Sequence, residues 1–296
     1  MTMSSNPDPR KLGPKPPFPK QKQSHPGTPK AMDPPADHGE SSYVGKGILQ
    51  GRAAIVTGGD SGIGRAVSIA FAKEGADIVL SYLPEEQSDA EETAKHVQAA
   101  GRRIVLLPGD IGQVSYAHSL VDAAMKEFGR LDIVVNNAGF QMVRKTIDEV
   151  SPEEFEHTFR TNIFGTFWLS QAALPKMKPG GAIINTSSIQ AFEPSEGLLA
   201  YAATKAAIAN LTKSLSKLAV KQYGVRVNAV APGPVWTPLI PSTMPEEKVE
   251  KFGENTVFER PAQPIEMAKV FVFLASEDAG YVSGEVFGAT GGRTPL

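Results

Sequence analysis

Tyr201 and Lys205 stand four residues apart in Tyr201-Ala202-Ala203-Thr204-Lys205, and Tyr201 follows Ser188 by 13 residues. Four residues make about one helical turn, so the phenol and the ammonium project from one helix face. A free phenol, with a pKa of about 10, exchanges protons poorly at neutral pH. An adjacent ammonium favours the phenolate, which brings the oxygen into use for proton transfer. Upstream lies the glycine-rich turn Thr57–Gly64. A nucleotide-binding turn ahead of such a tyrosine points to hydride chemistry. With six tyrosines in the chain, one such pair by itself would be an ordinary helix surface pair. The order is what argues: glycine turn, Asn136-Asn137-Ala138-Gly139, Asn162, Ser187-Ser188, then Tyr201 and Lys205.

These residues need strand ends and helix starts to hold them. From Gly51 onward, β-branched runs alternate with longer helical stretches. Strands are expected at Ala53–Thr57, Asp77–Tyr82, Arg103–Leu107, Ile133–Asn136, Ala182–Thr186, Val225–Val230 and Val286–Ala289. Helices are expected at Gly64–Glu74, Glu85–Ala100, Val114–Phe128, Pro152–Leu174, Tyr201–Gln222 and Ile265–Ser276. Strands spaced by helices of this length form parallel βαβ units with right-handed crossovers. The expectation is an α/β chain with one doubly wound parallel sheet of about seven strands, helices on both faces.

Residues 1–48 read differently. Ten of the 24 prolines fall between Pro7 and Pro35, interleaved with lysines, which suits an extended or disordered arm. Phe18 and Tyr43 are its candidate anchors, on its own body or on a neighbouring subunit. Residues 49–296 then form the catalytic unit.

Composition narrows the field. A net charge of −2 gives no field that would draw nucleic acid. With no cysteine, disulfides and thiolate sites are excluded, and five scattered histidines show no metal-ligand spacing. No apolar run reaches the roughly 20 residues of a membrane span, and no secretory apolar region opens the chain. The expected setting is the cytoplasm.

The turn Thr57-Gly58-Gly59-Asp60-Ser61-Gly62-Ile63-Gly64 follows the first strand and opens a helix. Its glycines permit close approach of backbone to a pyrophosphate, which the helix N-terminus attracts. Asp110, beside Ile111, ends the third strand and reads either as an acceptor for an adenine amino group or as a helix N-cap. Asn136, Ala138 and Gly139 end the fourth strand, where small residues leave room for a ribose.

Together these motifs resemble the short-chain dehydrogenase/reductase family over roughly Gly51–Gly292. The resemblance implies a single Rossmann-type domain that binds NAD or NADP, with Gly58, Gly62 and Gly64 as the glycine motif. It implies Asn162, Ser188, Tyr201 and Lys205 as catalytic residues, with Asn162 interrupting its helix and ordering a water beside Lys205. Ser187 competes with Ser188, and the 13-residue spacing to Tyr201 favours Ser188. Pro232 and Gly233 resemble the family's turn after the sixth strand, with Val235 and Thr237 near the cofactor. The arm, the Gly59-Asp60-Ser61 loop and Ser187-Ser188-Ile189-Gln190 most resemble bacterial members described as glucose- or ribitol-dehydrogenase-like, stress-associated or aldehyde-reducing.

Where members that use NAD commonly carry an acid at the end of the second strand, this chain has Ser81-Tyr82, which leans slightly toward NADP acceptance. Arg65 is the nearest cation. The substrate wall is expected from Ser188, Gln190, Phe192, Glu193, Val235 and Trp236, with a lid over 237–258. Partners follow from the resemblance: a carbonyl or alcohol substrate, and a homotetramer built on helices 152–174 and 201–222, with Phe164, Phe167 and Trp168 as candidate interface residues. Two other readings are a cofactor-binding protein without turnover and a dehydratase or epimerase.

Overall fold

The computed structural model describes residues 7–293; residues 1–6 of the arm and 294–296 lie outside it. Seven strands form one parallel sheet: β1 (Ala53–Thr57), β2 (Asp77–Tyr82), β3 (Ile104–Pro108), β4 (Ile133–Asn136), β5 (Ala182–Thr186), β6 (Arg226–Pro232) and β7 (Val286–Ala289). Their spatial order is β3-β2-β1-β4-β5-β6-β7. All five residues of β1 are buried, as a strand covered on both faces requires.

Alternation sorts its side chains. Ala54 and Val56 pack with α1 (Gly62–Lys73) and with Ile265–Ala275, while Ile55 joins the opposite cluster with Leu120 and Leu169. The remaining helices are α2 (Gln87–Ala99), α3 (Val114–Phe128), α4 (Pro152–Phe159), α5 (Gly165–Ala173), α6 (Leu199–Tyr223), α7 (Leu239–Thr243), α8 (Glu246–Glu250) and α9 (Pro264–Ala275). α3 and α6 each stop at a glycine in the left-handed region, Gly129 at φ 72° and Gly224 at φ 67°.

Ile55 pairs with Val79 of β2 on one side and with Val134 of β4 on the other. The chain therefore winds outward in both directions from β1, and the strand order reverses between β1 and β4. In open parallel sheets the crevice at that switch point, outside the strands' C-terminal ends, is where ligands bind.

One expected helix is broken. Pro152–Leu174 divides into α4, a π-helical turn over Arg160–Phe164 and α5. The expected lid contains the two short helices α7 and α8.

The arm from Pro7 onward lies against its own body. Phe18 is buried, stacks on Trp236 with ring centroids 4.3 Å apart, and donates its N–H to Glu250 O at 2.8 Å. The Tyr43 hydroxyl donates to Glu74, and Lys73 Nζ donates to Gly39 O, Glu40 O and Tyr43 O at 2.8–2.9 Å.

Candidate active site

The ends of β1 and β4 are tied together before any ligand enters. Thr57 Oγ1 accepts the N–H groups of Asn137 at 2.9 Å and Ala138 at 3.0 Å. Asn137 Nδ2 returns bonds to Thr57 O and Gly58 O. Gly58 sits at φ 60° and Gly62 at φ 49°, the left-handed region where glycine costs least. A Cβ on Gly64 would lie 1.9 Å from Gly58 O, so only glycine lets α1 start this close to the loop.

A cavity of about 630 Å³ opens above this loop. At one end it is lined by Gly58, Asp60, Ser61, Gly62 and Ile63, with Tyr82, Asp110 and Ile111 beside them. Ala138 and Gly139 line its middle, and Pro232, Gly233, Val235 and Thr237 its far side. Ser188, Gln190, Tyr201 and Lys205 line the other end. Among the expected cofactor residues, Gly64 and Asn136 are not in the lining. Gly64 supports the loop from below. Asn136, the last residue of β4, is buried within the sheet, where Nδ2 donates to Asn185 Oδ1 at 2.8 Å and Ser170 Oγ at 3.1 Å.

Asp110 lines the cavity, and its carboxylate accepts the Gly112 N–H at 2.8 Å ahead of α3, whose N-cap is Gln113 rather than Asp110.

The Tyr201 end is buried and polar. Lys205 Nζ donates to Thr186 O at 2.7 Å and lies 5.3 Å from the centre of the Tyr201 ring. Burial pushes Lys205 down to about 7 and Tyr201 up to about 12, the latter partly offset by its hydrogen bond with Ser188. The expected lowering of the phenol by the ammonium is thus outweighed by desolvation, which favours the neutral form of each group. Ser187 Oγ is committed to Lys205 O at 2.9 Å. Ser188 Oγ accepts only from the Gln190 N–H at 3.1 Å and faces Tyr201.

Asn162 is fully buried in the π turn and does not line the cavity. Its Oδ1 accepts from Phe140 N at 2.7 Å, and its Nδ2 donates to Phe140 O and Thr204 Oγ1, both at 2.9 Å. A Cβ on Gly139 would stand 3.5 Å from Asn162 Oδ1 and 3.6 Å from Lys205 Nζ, so the two groups flank the same point.

Three expectations for the substrate wall need correction. Trp236 has no exposed surface and does not reach the cavity; its indole Nε1 donates to Pro34 O and its ring lies between Phe18 and Phe252. The arm has taken the face that was expected to meet substrate. Phe192 is outside the lining, and Glu193 turns outward to pair with Arg293, which is itself at the cavity. In their place stand Phe140, Gln141, Leu198, Met244 and Phe252. Met244 and Phe252 belong to the expected 237–258 lid, whereas nothing in the local pattern pointed to Gln141 or Leu198, and Phe140 directly follows the Asn136–Gly139 motif.

Among the described residues, no Lys or Arg lines the cavity at the Asp60 end. Arg65 is buried and spent on Asp60 O at 2.9 Å, Thr93 Oγ1 at 3.0 Å and Asp89 O at 2.9 Å. Glu85 and Glu86 line this end instead. Burial, reinforced by neighbouring carboxylates, pushes Asp60 up to about 6 and Glu86 up to about 8.

A glycine loop at the switch point thus shares one cavity with buried Ser188 and Lys205 and half-buried Tyr201. Residues 58–294 match a family model described as enoyl-(acyl carrier protein) reductase. Over 277 residues the chain is 50% identical to the uncharacterized oxidoreductase YghA of Escherichia coli (strain K12), covering 93% of this chain and 94% of that one.

The chain belongs to the short-chain dehydrogenase/reductase family.

It is 44% identical to the glucose and ribitol dehydrogenase of Daucus carota over 281 residues, 93% of this chain and 96% of that one. Among solved structures, a short chain dehydrogenase from Burkholderia cenocepacia in complex with NADP superposes with a TM-score of 0.77 at 28% identity, covering 83% of this chain and 98% of that one. Short-chain dehydrogenases/reductases are oxidoreductases, and this member has the family's seven-stranded parallel sheet. Among the described residues no helix is long and apolar enough to cross a membrane, and no cluster of His, Asp or Glu is arranged to hold a metal ion.

Proposed function

We propose that this short-chain dehydrogenase/reductase moves a hydride between a nicotinamide dinucleotide and a carbonyl or alcohol carbon of a small aldehyde, ketone, sugar or polyol. The observation that carries the reading is the shared cavity: Ser188, Tyr201 and Lys205 at one end, the glycine loop at the other. The loop fits a dinucleotide, because its left-handed glycines and the start of α1 leave backbone N–H groups free for phosphate oxygens. The buried Asp60 Oδ2, which has no hydrogen-bond partner among the described residues, is at the same end. When bound, the nicotinamide supplies or accepts the hydride.

The chain's own residues handle the oxygen and its proton. Ser188 holds the substrate oxygen by a hydrogen bond and stabilises the charge that develops there. Tyr201, protonated well above neutral pH, donates its proton to that oxygen in reduction and takes it back in oxidation. Lys205 holds the ribose next to the ring and biases the phenol toward release. Asn162 fixes the Phe140 backbone and the π turn beside Lys205; an ordered water there is the relay that the resemblance implies. Either NAD or NADP serves, since the end that would hold a ribose phosphate has carboxyl groups whose charge depends on pH. Exposed Phe164 (41%) and Phe167 (39%) on the α4–α5 segment support a homotetramer, with light scattering as its check; a monomer near 31.5 kDa refutes it.

The test of activity is an initial-rate screen at 340 nm. Wild type and Tyr201→Phe are run with NADH and NADPH against aldehydes and ketones, and with NAD and NADP against sugars and polyols. Activity that falls by about 10²–10⁴ in the variant, with dinucleotide binding kept, supports the reading. Turnover that survives in Tyr201→Phe refutes the assigned role of that residue.

A further inference from the structure

The arm does more than lie on the surface. Between Gln23 and Thr28 it reaches the cavity, and His25, Pro26 and Gly27 belong to its lining. This short segment is fastened on several sides of the opening. Gln23 N–H donates to Pro241 O at 2.9 Å on the α7 side. Thr28 Oγ1 bonds Asp89 Oδ1 at 3.1 Å, at the start of α2. Gly27 presses so closely on Pro238 that a Cβ there would stand 2.6 Å from the carbonyl oxygen. The segment is braced internally by the Thr28 N–H, which donates to Gln23 Oε1 at 2.7 Å.

His25, exposed on this segment, is the titratable side chain that it adds to the cavity lining. Its ring makes a T-shaped contact with Phe140 at a centroid distance of 5.1 Å, and Phe140 makes another with His157 at 4.6 Å. Both imidazoles line the cavity. His25 also feels Glu85, beyond the end of β2. Points of attachment near β2, β4, α2 and α7 surround the opening, so the segment crosses it.

We propose that Gln23–Thr28 is a strap over the dinucleotide, contributing His25 to its binding and controlling its exit. The proposal rests on the reading of this cavity as a nicotinamide dinucleotide site. A ligand as long as a dinucleotide, running from the Asp60 end to Tyr201, passes beneath the strap. Release then requires the Gln23–Pro241 and Thr28–Asp89 bonds to open, an event that slows exchange without touching the reacting carbon.

The experiment is NADH release from the full chain, followed by stopped-flow fluorescence. His25→Ala removes the imidazole ring, and Gly27→Ala forces the strap away from Pro238. Each is expected to speed release about tenfold or more, with the circular dichroism spectrum unchanged. A Gln23→Cys/Pro241→Cys pair supplies the complementary perturbation, because the chain has no other cysteine. Oxidised, this lock should slow NADH release about tenfold or more, and reductant should restore it. Release from Gly27→Ala within twofold of wild type, or equal release from oxidised and reduced lock, overturns the strap. If wild type binds neither NADH nor NADPH, the dinucleotide reading itself falls, a result distinct from binding that ignores the strap.

Discussion

Dinucleotide binding should carry a proton with it, and Lys205 sets how much. The ammonium is buried and donates to Thr186 O. Burial pushes its pKa down to about 7, so at pH 8 only about a tenth of the chains carry the charge. Ribose hydroxyls held by Nζ and the negative charge of a bound dinucleotide would favour the ammonium. If they return it to the ordinary value of about 10.5, binding at pH 8 takes up about 0.9 proton. Because the bound form holds more protons, affinity must fall as pH rises between the two values. The slope is about tenfold, or about 1.4 kcal/mol, per pH unit.

Titration calorimetry with NADH in buffers of different ionisation enthalpy reads this uptake directly. The reduced dinucleotide is the choice because its ring is uncharged. Tyr201, pushed up to about 12, keeps its proton throughout and does not contribute. Glu86, pushed up to about 8, titrates in the same window, so the readout is the difference between wild type and Lys205→Met. Uptake at pH 8 that differs by less than about 0.2 proton between the two chains, with both binding NADH, refutes the reasoning.

The carboxyl end of the cavity gives a second prediction. Ionised Asp60 and Glu86 repel a ribose phosphate more than their protonated forms do, so NADP binding relative to NAD should weaken as pH rises from 6 to 8. Glu86→Gln should improve the NADP-to-NAD affinity ratio about twofold at pH 8 and about tenfold at pH 9, measured by fluorescence quenching; an unchanged ratio at pH 9 argues against contact. Gly64→Ala places a Cβ 1.9 Å from Gly58 O and should abolish dinucleotide binding, checked by the same titration. Phe18→Ala removes a buried ring stacked on Trp236, a loss of about 3–5 kcal/mol at that site. The expected outcome is a released arm, seen as faster tryptic cleavage at Lys20 and Lys22 with the sheet still folded.

The centre of the sheet was legible because β1, β2, β4, β5 and β6 are buried on both faces. Asp77–Tyr82, Ile133–Asn136 and Ala182–Thr186 read as continuous apolar or β-branched runs, and their bounds agree with the structure. The π turn at Arg160–Phe164 escaped the period-3.6 pattern because it adds a single wide turn without changing which residues are apolar. Asn162 marked the place through the resemblance, and its side chain explains it, bonding both the N–H and the carbonyl of Phe140. Trp236 was misplaced for a different reason. A large aromatic just after a cofactor-binding turn looks like pocket wall when only neighbours in sequence are considered. Its actual partners, Phe18 and Pro34, lie more than 200 residues earlier in a segment with no periodicity at all.

That misplacement and the strap have one cause. A proline-rich segment cannot contribute a helix or a central strand, so its docking energy comes from a few side chains that meet preformed surfaces. Phe18 against Trp236 fixes it to the inner face of the lid, and Tyr43 with Lys73 fixes it to the end of α1. Between those anchors, Gln23–Thr28 is the stretch that crosses the cavity, held there by Pro241 O and Asp89. Arm and lid therefore form one unit: Phe18 N–H on Glu250 O and Gln23 N–H on Pro241 O tie the arm to the same two short helices that border the substrate end. Opening the lid for substrate while the arm stays docked would break both bonds. On the proposed strap, entry at the Tyr201 end would be coupled to retention at the glycine-loop end through the arm.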